Sequence, residues 1–184
     1  RRGLSVARIL LCSVFPVSLP APTPRRQRQS SGPIRQLADH LLELGQIAEA
    51  CHRSDLIFGL EVEANLVGQN GQILAEIHRQ VNHPSLMLIF DAANLSTQGY
   101  SPDEVYAEYL AMKPGLGWMH IKDYRHPSPT QRTQHVDEEA LKHFVPADRG
   151  DSAHEMILRD FRDYIPTLEK KLQNRGVPGA FLDL

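Results

Sequence analysis

Glu61, Asp91 and His120 recur along this 184-residue chain at almost one interval, 30 residues and then 29. Each closes a short apolar run, over 56–61, 86–91 and 117–120. Two carboxylates and an imidazole make a donor set for a divalent cation. Mn²⁺, Mg²⁺, Co²⁺ and Zn²⁺ all accept such a mixture, so donor type alone does not choose among them. Singly, each residue also has a plainer reading. Glu61 reads equally as a rim carboxylate paired with Lys or Arg, and a lone strand histidine is at home in a core. Asp91-Ala92-Ala93-Asn94 reads equally as turn chemistry, because Asp and Asn side chains bond nearby backbone groups. The common interval and the shared strand-end placement are what join the three into one site.

An interval near 30 residues is one strand plus one crossover helix, the repeat of a parallel α/β sheet. In a (β/α)₈ barrel, side chains at the carboxyl ends of successive strands converge on one mouth. The segments between the runs carry the helical period that this requires. Ile34, Leu37, Leu41, Leu44, Ile47 and Cys51 form one apolar stripe, and Ile73, Ile77 and Val81 form another that Pro84 should end. Ser101-Pro102-Asp103-Glu104 is a helix start, with a serine cap, an early proline and acids facing the dipole. That helix should run to Met112 and close at Pro114-Gly115, and the third strand should continue through His120 to Asp123. Trp118, the only tryptophan, reads as barrel packing. Residues 125–133, polar and proline-bearing, read as a mobile loop over the mouth. A short helix over 137–142, a short strand over 143–147 and a long helix over 152–174 follow. Pro166 should kink the long helix and Gly176 should cap it. A last strand begins at Ala180. The remaining histidines, 126, 135, 143 and 154, read as surface residues, with His154 the nearest to the mouth.

With 41% hydrophobic residues the chain can bury one substantial core, but a whole barrel takes about 250 residues. The expected fold is therefore α/β, an incomplete (β/α)₈ TIM barrel with a parallel sheet, roughly strands three to eight. Residues 34–184 form the partial barrel domain. Residues 1–33 comprise a basic, apolar start and a Pro/Arg-rich linker over 16–32. The start reads as a strand over 7–15 in preference to a targeting segment, since Arg8 interrupts it and no clean cleavage site follows. A net charge of −2 and a pI near 6.5 argue against nucleic acid as the main partner. Cys12 and Cys51 form neither a ligand motif nor a disulfide framework, which makes a reducing cytoplasm the default location. No stretch is long enough to span a bilayer.

The runs Gly59-Leu60-Glu61-Val62-Glu63, Phe90-Asp91-Ala92-Ala93-Asn94 and His120-Ile121-Lys122-Asp123 resemble the xylose isomerase-like TIM barrel family, the sugar phosphate isomerases and epimerases. Asp148-Arg149-Gly150-Asp151 resembles that family's Gly-x-Gly-Asp turn without its first glycine. The resemblance covers residues 44–184 and places the three runs at the ends of strands four, five and six. It implies a small-molecule sugar or sugar phosphate substrate, a divalent metal held by Glu61, Asp91 and His120, and a possible homo-oligomer. Asn94, Lys122 and Glu63 would contact substrate or the ligands; Lys122 reads equally as a salt bridge to Asp123 or Glu63. It further implies proton or hydride transfer next to a carbonyl, with Glu61 as one catalytic carboxylate. A fourth ligand, a glutamate ending strand eight, is expected just after Leu184, with Asp183 inside that strand a weak substitute, so the activity is expected to be crippled. Two other outcomes stay open: an endonuclease-IV-like DNA repair barrel, for which a histidine would be expected at position 94, and a non-catalytic remnant.

Overall fold

A computed structural model describes residues 8–12, 33–66, 68–128, 130–133, 135–175, 177, 180 and 182–183. The expected linker and the expected cap at Gly176 lie outside the described residues. Five strands form one parallel sheet. They are β1 (Arg8–Cys12), β2 (Leu56–Glu61), β3 (Leu86–Asp91), β4 (Leu116–His120) and β7 (Leu182–Asp183), adjacent in that order. Between them run α1 (Pro33–Arg53), α2 (Gly71–Val81), α3 (Ala92–Ser96), α4 (Pro102–Met112) and α5 (His154–Gln173). A strand covered on both faces must be apolar throughout, and β3, Leu-Met-Leu-Ile-Phe-Asp, is buried at all its positions. β1 pairs in parallel with β2 from Arg8 opposite Leu56 to Cys12 opposite Leu60. It is the strand expected over 7–15.

Local chemistry sets the helix ends. The Asn70 side chain accepts from the Ile73 N–H at 2.9 Å to start α2. The same helix stops at Asn82 in the left-handed region (φ 44°, ψ 49°), two residues before the proline expected to end it. Ser101 and Glu104 close a reciprocal capping box on α4. Leu44, Ala48 and Cys51 of α1 are buried, while Ile47 is 38% exposed, so the buried stripe is narrower than the sequence pattern. α5 buries Ile157, Phe161, Leu168 and Leu172 and runs unbroken through Pro166.

Two features of the sheet interior fix where the strand ends fall. The Trp118 indole from β4 reaches Gly59 in β2, where a Cβ would sit 2.6 Å from the ring and 2.7 Å from Ile89 Cδ1. Glycine here marks a close approach of packed groups. The register between β3 and β4 slips at Gly117: Leu88 faces Leu116, whereas Ile89 faces Trp118. Such a bulge re-aims the residues beyond it, and it brings His120 opposite Asp91.

Four expectations are corrected. β4 ends at His120, and Asp123–Tyr124 (β5) leaves the main sheet to pair antiparallel with Phe144–Val145 (β6). The strand expected over 143–147 is thus half of a side hairpin, and β4 and β7 are direct neighbours. No strand intervenes between the histidine strand and the last described one, so a count of four, five and six leading to eight does not fit. The segment 125–133 is tethered as well. The Thr133 N–H donates to the Gln98 carbonyl at 3.0 Å, and Arg132 pairs with Glu104 at 2.9 Å while stacking 3.3 Å from the Tyr100 ring centroid. No helix among the described residues is long and apolar enough to cross a membrane.

Candidate metal centre

The three strand ends bring one donor each to a common point: atoms of Glu61, Asp91 and His120 all lie within 4.8 Å of one another. Glu61 is in register with Ile89, a level below the Asp91–His120 pair. The longer glutamate side chain makes up the stagger, and Glu61 Oε1 stands 2.9 Å from His120 Nδ1. Asp91 Oδ2 is 3.6 Å from the same nitrogen. Asp91 carries out the turn role that the sequence left open, with one oxygen only. Its Oδ1 accepts from the Asn94 N–H at 3.1 Å and caps α3, while Oδ2 faces the histidine and Lys122.

The cluster is organised around negative charge. Asp91 is fully buried, and Lys122 Nζ lies 2.9 Å from its Oδ2. This is a different ion pair from the ones expected with Asp123 or Glu63. Asp91 first and Glu61 second hold the His120 imidazolium up to about 10. Hydrogen bonding to the two carboxylates outweighs the burial that would lower it. Burial would lower the Lys122 ammonium, yet Asp91, Glu61 and Glu63 together raise it. Burial, and then the charge of Glu61, push the Glu63 carboxyl above its usual range. Two carboxylates withdrawn from water demand a cation. Here a proton on His120 and the Lys122 ammonium meet that demand. The oxygen and nitrogen donors and their convergence suit a divalent ion.

Asn94 is buried, and its Nδ2 donates to Glu61 Oε1 at 3.2 Å and to the Val62 carbonyl at 3.1 Å. It therefore orients a candidate ligand as well as bordering the adjoining cavity. That cavity, about 430 Å³, is lined by Glu63, Asn94 and Lys122 from the cluster side and by Val136, Leu141 and Phe144 opposite. Its far wall is held by Asn65, whose side-chain amide makes two bonds with the Val136 backbone, both 2.9 Å.

Sequence reasoning missed three supporting residues. His154, expected near the surface, is buried, and its Nε2–H donates to the Lys122 carbonyl at 2.7 Å. Buried Asp123 accepts from the Tyr124 and Gly150 N–H groups at 2.8 Å and from that of Ser152 at 3.1 Å. Together they clamp the chain just beyond His120 onto the turn before α5. A Cβ at Gly150 would collide with the Asp123 carboxylate, which is why that turn needs its glycine. Asn65 is the third, and its positive φ of 64° has no sequence signal beyond asparagine's tolerance of that region. Asp183 is the Cα partner of His120 across β4 and β7, level with the proposed ligands.

No protein of curated function matches this sequence. Among solved structures, a xylose isomerase-like TIM barrel protein from Mycobacterium smegmatis in complex with magnesium superposes with a TM-score of 0.57 at 16% identity, over 96% of this chain and 54% of that one. The probable 3-DHS dehydratase AsbF of Bacillus anthracis, involved in petrobactin synthesis, gives a TM-score of 0.55 at 17% identity, over 71% and 48%. At such identities the likeness is one of fold, and this chain spans about half the length of either structure. The family model of the xylose isomerase-like TIM barrel matches residues 4–178. The chain belongs to that family.

Proposed function

We propose that this chain carries the metal-binding strands of a sugar isomerase or epimerase that moves a proton or hydride next to a carbonyl. The observation that supports the reading best is the convergence of Glu61, Asp91 and His120, from three adjacent strand ends, within 4.8 Å. A divalent cation held by them would draw the substrate's oxygens into place and offset the negative charge that develops there.

The remaining roles belong to the chain itself. Glu61 is held between Asn94 Nδ2 and His120 Nδ1, which fixes its carboxylate for ligation and for proton exchange with a bound substrate. Lys122 balances Asp91, while Glu63 and Asn94 present hydrogen-bonding groups to the cavity. Apolar Val136 and Phe144 on its other wall exclude water from one side of a ligand. Titrating the whole chain with Mn²⁺ and following the free ion by electron paramagnetic resonance tests the reading. One ion should bind, and Glu61→Ala, Asp91→Ala and His120→Ala should each abolish binding. Full occupancy in all three variants sinks the assignment.

A further inference from the structure

Resting on the metal-assisted sugar reading, we infer that the cavity beside Lys122 takes an uncharged, hydroxyl-bearing ligand and discriminates against its phosphate ester. A bound phosphate needs free cations or free backbone N–H groups at a helix start. Neither faces this cavity among the described residues.

The charges come first. Glu63, Asp137 and Glu138 line the cavity, and Lys122 is the one cation in its lining. That ammonium is already paired with buried Asp91 at 2.9 Å. Two arginines of the segment between Lys122 and Val136 are occupied elsewhere: Arg125 donates to the Arg149 carbonyl, and Arg132 pairs with Glu104.

The helix starts are closed too. The α3 N-terminus is capped by Asp91. The 3₁₀ turn Glu138–His143 is capped by Asp137, whose Oδ1 accepts from the Glu139 N–H at 3.1 Å and the Ala140 N–H at 3.3 Å. Carboxylates thus occupy the places where a phosphate would sit.

What the cavity does offer suits a polyol. Leu141, 62% exposed, joins Phe144, whose ring is held edge-on by Tyr124 at 5.5 Å and faced by Lys122 Nζ at 5.3 Å. An apolar wall with a fixed aromatic ring accepts the C–H face of a sugar. Opposite it, Glu63 and the Asn94 amide are hydrogen-bond partners for hydroxyl groups.

The probes are D-fructose and D-fructose 6-phosphate, each titrated into the ¹⁵N-labelled full chain with Mg²⁺ present and followed by amide chemical shifts. Fructose should shift Asn94, Lys122 and Phe144, with the phosphate ester at least about tenfold weaker because like charges line the site. The double variant Asp137→Asn, Glu138→Gln should narrow that gap. Equal or tighter binding of the ester overturns the inference, and so does an undisturbed cavity with both probes. Mg²⁺ binding read in the same samples separates the two claims. A chain that binds no metal refutes the proposed function, whereas a metal-loaded chain that prefers the ester refutes only the discrimination.

Discussion

Replacing Asp123 by alanine should destabilise the chain by about 3–4 kcal/mol. The figure follows from what the carboxylate satisfies. Three backbone N–H groups, those of Tyr124, Gly150 and Ser152, point at it from distances of 2.8–3.1 Å. A buried donor left without an acceptor costs about 1–3 kcal/mol, so three would cost about 3–9. Two features pull the value towards the lower end. The Tyr124 N–H keeps a second acceptor in Ser152 Oγ at 3.3 Å, and Gly150 is only half-buried, within reach of water. Asp123→Asn keeps one acceptor oxygen and should cost about half as much, because its NH₂ meets a backbone donor head-on. Urea unfolding at neutral pH, followed by the fluorescence of Trp118, gives both values. Native-state hydrogen exchange should show the loss concentrated at the Gly150 and Ser152 amides. An alanine variant within about 1 kcal/mol of the parent would falsify the clamp, since no arrangement of three satisfied donors loses its acceptor at so little cost.

Gly59→Ala should destabilise by about 1–3 kcal/mol through overpacking, because the added methyl meets Trp118 and Ile89 at 2.6–2.7 Å. A thermal melt measures this, and a shorter residue at position 118 should restore part of the loss. Metal affinity should rise with pH through the neutral range, because His120, held protonated up to about 10 in the metal-free chain, must release its proton to ligate. Calorimetry in two buffers of different ionisation enthalpy will report that proton, and an affinity flat with pH would remove His120 from the ligand set. His78 is partly buried against Gly115, and burial pushes its imidazole below the ordinary value of 6.5. Its stabilising contribution is complete above that value and is lost as the pH falls through the depressed one. Between about pH 7.5 and pH 5, His78→Gln should therefore lose less stability than the parent; an identical loss refutes the assignment.

The convergence of Glu61, Asp91 and His120 was legible because it rests on local patterns. An apolar run, a terminal donor and a 30-residue repeat are all written in consecutive residues, and the sheet interior turns them into convergence without further instruction. The helices were legible for the same reason, through Ser101–Glu104 and through the period of α1, α2 and α5. The misreadings share another physical cause, the competition between long-range partners. Residues 144–145 have strand character, but Tyr124 and Asp123 supply a nearer edge than the main sheet does. His154 looks like a surface residue until the Lys122 carbonyl needs a donor at that point. Residues 131–133 are polar enough for a free loop, yet Gln98, Tyr100 and Glu104 hold them. That Asp91 both caps α3 and pairs with Lys122 could not be decided beforehand either, since a cap and a candidate ligand call for the same residue.

The Asn65–Val136 bonds join positions 71 residues apart, whereas the triad is built from neighbours about 30 residues apart. Closing a longer loop carries the greater entropy cost and delays the contacts that depend on it. The donors can therefore assemble as soon as β2, β3 and β4 pair, and the ligand chamber exists only after the Asn65 amide has found its partner. In a partly opened molecule the donor cluster outlives the chamber. Under the proposed function, the molecule would grip an ion before it had a defined place for anything that ion would act upon.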